Sequence, residues 1–197
     1  MQPEPSNTTT VPYEAPLDGA FTIIVFGLYI LMIRLRTNGR YELPGGGRDP
    51  GETLLKAAIR ETKEETRFVV GESSFGEVAY LVQRVVRKEG LRYGKIKLFQ
   101  VKSFDFPFQY GLGKTNDHDY GVVKTADGSI LTTDEAECVQ FVHAHNIING
   151  TFNVSLGHKR LVLHWLNYMS ALAPEKIHGK LGDPVTADIP GLGLITL

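Results

Sequence analysis

Cysteine is nearly missing from this chain. Cys138 is alone among 197 residues, so no intrachain disulfide can form and the fold must be held by its core. One lone thiol fits a reducing compartment. An excess of either charge is missing too. The 21 Lys and Arg stand against 22 Asp and Glu, a net charge of −1. No global field draws the chain to nucleic acid or to an acidic membrane surface, and neither is expected as a partner. Long hydrophobic runs are also lacking. The stretch FTIIVFGLYILMI, Phe21 to Ile33, is too short to cross a bilayer as a helix and runs straight into Arg34 and Arg36. The first residues, MQPEPSNTTTVPYEAP, carry no basic segment followed by an apolar one, so no signal peptide is expected. A cytoplasmic location follows as an expectation, with the nucleus left open. The sequons at Asn7, Asn149 and Asn153 carry no weight without secretion. No internal repeat is present.

What remains is the composition of a globular domain, 42% hydrophobic and 22% charged. The predicted organisation is a flexible lead-in over 1–17, a domain over 18–172 and a tail over 173–197. Strands are expected at 20–26 and 28–36, joined near Gly27, with a short one at 40–43. LPGGG (43–47) then breaks regular structure. A helix follows over 53–66, capped by Thr53 or Asp49, with Glu52 as the reciprocal capping partner. Its core stripe is Leu55, Ala58, Thr62 and Thr66. Strands are expected at 76–86, 94–104 and 136–142, an irregular aromatic loop at 105–131, and an amphipathic closing helix at 156–172 that carries Trp165.

The helix holds the most informative pattern. Glu61, Glu64 and Glu65 fall at i, i+3 and i+4, so their carboxylates share one face. Left unpaired they repel. Arg60, Lys63 and Arg67 lie in the same stretch, and pairing such as Arg60 to Glu64 would account for part of the cluster as a solvated face. The other remedy is a cation. Hard oxygens with no His or Cys beside them suit Mg²⁺ or Mn²⁺ rather than zinc. The glycines ahead, Gly45, Gly46 and Gly47, favour this second account, because they offer exposed backbone and let a ligand approach closely.

Gly46, five residues, Glu52, seven residues, then Arg60-Glu61-Thr62-Lys63-Glu64-Glu65 resembles the signature of the Nudix hydrolases. The box covers Gly46 to Phe68, and the flanking strands extend the likeness over about 18–170. The resemblance implies an α/β/α sandwich with a mixed central β-sheet. It implies Mg²⁺-dependent hydrolysis of a diphosphate, with Mn²⁺ able to substitute. It places metal ligands at Glu61, Glu64 and Glu65, with a backbone carbonyl of Gly45 or Gly46 completing the shell. It gives Arg60 and Glu52 positioning roles. Two positions depart from the pattern. Thr62 stands where an aliphatic residue is usual, and Arg67 where glycine usually ends the helix in a left-handed conformation. Lower stability is expected from both, and the loss of a metal ligand from neither.

Pyrophosphate hydrolysis also needs a base for the water's proton. Candidates are Glu64 and, just ahead of the 136–142 strand, Glu135 and Glu137, although exposed loop carboxylates are the plainer account of the last two. Substrate contacts are expected from Gly45, Gly46 and Gly47, from Arg34 and Arg36, and from Lys95 and Lys97. The last two share a strand face within a run, Arg84 to Lys102, of seven basic residues and one acidic one. Edge lysines that discourage sheet aggregation explain that run equally well. The PGGG run is similar to the diphosphoinositol polyphosphate phosphohydrolase branch, which also handles dinucleoside polyphosphates. No proline lies between Pro50 and Pro107, unlike the ADP-sugar pyrophosphatases, and the NADH pyrophosphatase motif is missing. A nucleoside di- or triphosphate or nucleotide-sugar substrate is the alternative, with Phe104, Phe106, Phe108, Tyr110 and Tyr120 available to stack on a base. A rival of another class is a non-catalytic Nudix-fold binding module, and a homodimer is the expected assembly if one forms. His143 and His145 have no third ligand nearby, and Cys138 reads as a buried thiol.

Overall fold

The apolar run at 21–33 is split between strands, as its β-branched and aromatic content dictates. β1 spans Asp18–Ile23. β2 (Val25–Phe26) and β3 (Tyr29–Leu35) form a hairpin whose tip is Gly27, at φ 61°. Then come β4 (Tyr41–Glu42), β5 (Gly45–Gly47), helix α1 (Leu54–Thr66), β6 (Phe75–Arg87) and β7 (Gly90–Val101). After these follow β8 (Gly111–Gly113), β9 (Val122–Lys124), β10 (Ala136–His143), α2 (Ala144–Ile148), α3 (Leu156–Ser170), β11 (Ile177–Lys180), β12 (Thr186–Ile189) and β13 (Gly193–Thr196). The computed structural model describes residues 18–87, 90–102, 107, 109–113, 121–170, 177–180, 186–189 and 193–196. The lead-in 1–17 and the aromatics Phe104, Phe106, Phe108 and Tyr120 lie outside them.

The strands build an α/β fold from two main sheets. The first is mixed, in the order β11-β6-β7-β1-β5, with β7 parallel to β1 and β5 antiparallel to it. The second is antiparallel, in the order β2-β3-β10-β9-β8, with β4 beside β3. β12 and β13 form a separate hairpin. Alternation along β1 and β7 sorts the two faces of the mixed sheet. Ile23, Ile96 and Leu98 join Leu161, Val162 and Trp165 of α3 in the largest core cluster. Ala20 and Phe99 face α1, under Ala57 and Ala58. A third cluster, with Leu31, Ile33, Phe68, Val123 and Phe141, fills the far side of the antiparallel sheet.

Three elements depart from the sequence reading. LPGGG does not break the sheet. Its glycines are β5, in register Phe21↔Gly45, Ala20↔Gly46 and Gly19↔Gly47. A Cβ on Gly45 would lie 2.2 Å from the Ala20 carbonyl oxygen, so only glycine lets these backbones meet. The segment 105–131 holds β8 and β9, each too short to leave a periodic signal. The tail contributes β11, which extends the mixed sheet beside β6.

α1 matches its expected course. Thr53 caps it, its hydroxyl accepting from the Lys56 N–H at 3.2 Å. Glu52 accepts from the Asp49 N–H at 3.1 Å in the turn ahead. Ala58, Thr62 and Thr66 are buried, with Leu55 half-buried beside them. Thr62 is not the weak contact expected of it. Its hydroxyl donates to the Thr22 hydroxyl of β1 at 2.9 Å, so the buried polar atoms are matched. The other departure stands as expected. Arg67 ends the helix at φ 61°, the one non-glycine residue with positive φ among the described residues. That conformation costs an ordinary side chain about 1 kcal/mol relative to glycine.

Candidate active site

α1 lies over β1 and turns one flank to the glycines of β5. The pairing is intimate. The Gly45 N–H donates to Glu65 Oε2 at 2.8 Å. A Cβ on Gly46 would sit 2.6 Å from Glu61 Oε1. The glycine run therefore serves the glutamates through a backbone N–H and through missing side-chain volume. Gly46→Ala should push the Glu61 carboxylate aside. We expect Mn²⁺ binding, followed by calorimetry, to weaken about tenfold or more with far-UV circular dichroism unchanged.

Burial sets the electrostatics. Glu65 is 5% exposed, and this burial pushes its carboxyl up to about 8. The bond from Gly45 lowers it, while the charges of Glu61, Glu135 and Glu42 raise it further. Glu61 is also raised, by burial first, against the pull of Arg60. Glu64 differs, being turned outward with its side chain 58% exposed. Two glutamates thus face the glycines and the third borders solvent.

Arg60 ties the group together. Its guanidinium donates to Glu52 at 3.1 and 3.2 Å, to Glu61 at 2.8 Å, to Glu64 at 3.1 Å and to the Gly47 carbonyl at 2.9 Å. Such a fork fixes carboxylates at both ends of the helix and ties them to β5. Glu52 is held below the usual carboxylate range, chiefly by Arg60, so it remains an anion where Glu65 does not.

The later loop delivers Glu135. With Asp134, Glu64, Glu65 and Arg67 it lines a hollow of about 270 Å³. Its neighbour Glu137 is used elsewhere, paired to Arg34 at 2.7 Å. Several expected substrate contacts are likewise engaged. Arg36 donates to the Thr133 carbonyl at 3.0 Å. Lys97 pairs with Glu77 at 2.7 Å, and β1 separates its strand from β5. Lys95 is exposed on the same strand face. The structure thus gathers Glu52, Arg60, Glu61, Glu64, Glu65, Glu135 and Gly45–Gly47 in one place. Arg36 borders it, its N–H donating to the Glu135 carbonyl at 2.9 Å, whereas Arg34, Lys95, Lys97 and Glu137 do not line the hollow.

Two contributors were missed. Asp134 joins the hollow, and its adjacency to Glu135 was the available signal. His158 of α3 accepts from the Leu43 N–H at 3.0 Å and meets Glu42 at 3.3 Å, anchoring the chain just ahead of β5. No local pattern marks that histidine. His143 caps α2 through Nδ1, accepting from the His145 N–H at 3.2 Å, and Tyr110 packs on Phe68.

The donor chemistry fits a hard divalent ion: carboxylate oxygens, a glycine strand that leaves room beside them, and no soft ligand. The fit is not a finished cage. Among the described residues, no three acidic, His or Cys side chains converge closely enough to hold one ion. This glycine strand, crossing under a helix with the REXXEE arrangement, is decisive when set beside the family comparison. Residues 16–162 match the NUDIX domain. The chain belongs to the Nudix hydrolase family. Members of this family typically use a divalent metal.

Solved structures agree on the fold. The Nudix chain is 14% identical to the MutT protein of Bacillus halodurans, at a TM-score of 0.56 over 91% of this chain and 97% of that one. It is 18% identical to a bifunctional NMN adenylyltransferase/ADP ribose pyrophosphatase of Francisella tularensis, complexed with AMP and a Mn ion, at a TM-score of 0.54. That match covers 82% of this chain and 44% of that one. A C. elegans Ap4A hydrolase is 16% identical, at a TM-score of 0.50 over 78% and 98%. The chain spans 46% of a MutT/nudix family protein from Enterococcus faecalis. No curated protein matches it. No helix among the described residues is long and apolar enough to cross a membrane.

Proposed function

We propose that this Nudix chain performs Mg²⁺-dependent hydrolysis of a pyrophosphate bond in a phosphate-rich small molecule, with dinucleoside polyphosphates and diphosphoinositol polyphosphates the favoured classes. The observation that carries the reading is the convergence of Glu61 and Glu65 on Gly45 and Gly46, under the Arg60 fork. The PGGG run supports the favoured classes.

Glu61 and Glu65 would hold the ion, with Glu64 within reach on the same turn. Bound there, Mg²⁺ would screen the diphosphate's charge and acidify a water. The protein's own groups do the rest. Arg60 keeps Glu61 oriented and Glu52 charged. Gly45 fixes the Glu65 rotamer, and Gly46 leaves the space that a ligand needs. Glu64 and Glu135, which line the hollow, would take the water's proton in preference to Glu137, which pairs with Arg34.

The test is phosphate release with Mg²⁺ across diphosphoinositol phosphates, dinucleoside polyphosphates, ADP-ribose, NADH, coenzyme A and nucleoside triphosphates. We expect turnover on one of the two favoured classes, lost when Mg²⁺ is chelated. Preference for a nucleoside triphosphate or nucleotide sugar would move the substrate. Binding without turnover of any compound would replace the enzyme by a binding module.

A further inference from the structure

A second hollow, about 540 Å³, lies along the outer face of α1. Lys56, Arg60, Lys63 and Arg67 line it, against only two carboxylates, Glu64 and Glu72. The spacing of four, three and four residues puts these cations in one row. Arg60 is consumed by Glu52, Glu61 and Glu64. Lys63 and Arg67 are exposed and form no salt bridge to a described residue. Like charges so placed repel; Lys63, in the last turn, complements the helix dipole, and the Arg67 side chain has no partner among the described residues.

Arg67 makes the arrangement more pointed. It holds its left-handed backbone where glycine would sit without strain. It lines both hollows, the basic one on α1 and the acidic one with Glu65 and Glu135. The two hollows meet at Glu64 and Arg67. A polyphosphate chain held at the glutamates would extend past Arg67, which borders both hollows, toward Lys63.

We propose that Arg67 and Lys63, with Lys56 further along the row, form an anion subsite for a phosphate group of the substrate beyond the diphosphate at the glutamates. The substrate side of this inference rests on the function proposed above; the anion site itself does not. It takes linear or clustered polyphosphates carrying more than two phosphates, and it favours them over compounds with two.

The test is calorimetric titration of inorganic tripolyphosphate into the full chain with divalent metal chelated, at low and at raised salt. The parent should bind, and binding should weaken steeply with salt. Arg67→Gly and Lys63→Ala should each weaken it about tenfold. Arg67→Gly should also melt about 2–4 °C higher, through relief of strain. Arg67→Asn, which tolerates the same backbone, should lose binding too. A purely structural role for Arg67 would raise the melting point and leave binding alone. That result, or no binding by the parent, overturns the proposal. Tripolyphosphate binding lost in the variants, with no hydrolysis across the panel, keeps the subsite and discards the proposed activity. Hydrolysis with tripolyphosphate binding unchanged in the variants does the reverse.

Discussion

Glu65→Gln should abolish hydrolysis while leaving the protein folded and, above neutral pH, more stable. Glutamine keeps an oxygen to accept from the Gly45 N–H, the 2.8 Å bond that joins α1 to β5. It also removes an acid that burial already disfavours as an anion. What it cannot do is supply negative charge to an ion. A metal at such a site contributes several kcal/mol of charge stabilisation in the transition state, so losing it should cost about a thousandfold or more in kcat. The contrast with Glu64→Gln is informative. Glu64 is largely exposed and bonded only to Arg60 among the described residues, so its loss should disturb neither β5 nor the burial balance. Steady-state rates and melting curves on both variants check this. A Glu65→Gln protein within tenfold of parent activity would remove Glu65 from the metal site.

The sequence revealed the box because its spacing is local. One helix with a fixed rise places Glu61, Glu64 and Glu65 on one side, and Thr53 announces the start of that helix. The left-handed residue at Arg67 was legible through the family resemblance, in which glycine usually ends the helix at that position. The strand made of Gly45–Gly47 was not legible. Glycine has no side chain to alternate, and strand formation there depends on β1 offering a backbone close enough to pair. The burial of Glu65 follows from that strand, so a reading of the helix alone takes the three glutamates as equivalent. Thr62 looked like a flaw because its partner, Thr22, lies 40 residues away. The fates of Arg34 and Lys97 were hidden by register. Which carboxylate opposes each cation, Glu137 or Glu77, is decided by how β10 meets β3 and how β6 meets β7. The link of His158 to Leu43, 115 residues apart, is equally a product of the tertiary fold.

The metal-free protein should lose stability as pH rises from 6.5 to 8. Two buried groups determine this. Glu65 titrates near 4.5 unfolded and near 8 folded. Its raised pKa makes folding less favourable as pH climbs through that interval, because the folded state keeps a proton the unfolded chain has released. His164 works in the opposite sense. Burial lowers it from 6.5 to about 4, so the unfolded chain keeps the extra proton and stability rises with pH across 4 to 6.5. Between 4.5 and 6.5 the two slopes nearly cancel. Above 6.5 only the Glu65 slope remains. The fall to pH 8 should be on the order of 2 kcal/mol, or about 4–8 °C in melting temperature. Glu42 and Glu52, both lowered, titrate below this window and do not enter it. In Glu65→Gln the curve should climb to 6.5 and then level off. Mg²⁺ should reverse the fall in the parent, because it binds the anion that the apo site disfavours, and stabilisation by ligand grows with occupancy. Thermal melts at pH 5, 6.5 and 8, with chelator and with Mg²⁺, separate these curves. A metal-free parent that is flat from 6.5 to 8 would mean that Glu65 ionises like an exposed carboxylate. The crowding of acids on this helix would then carry no cost for a metal to relieve.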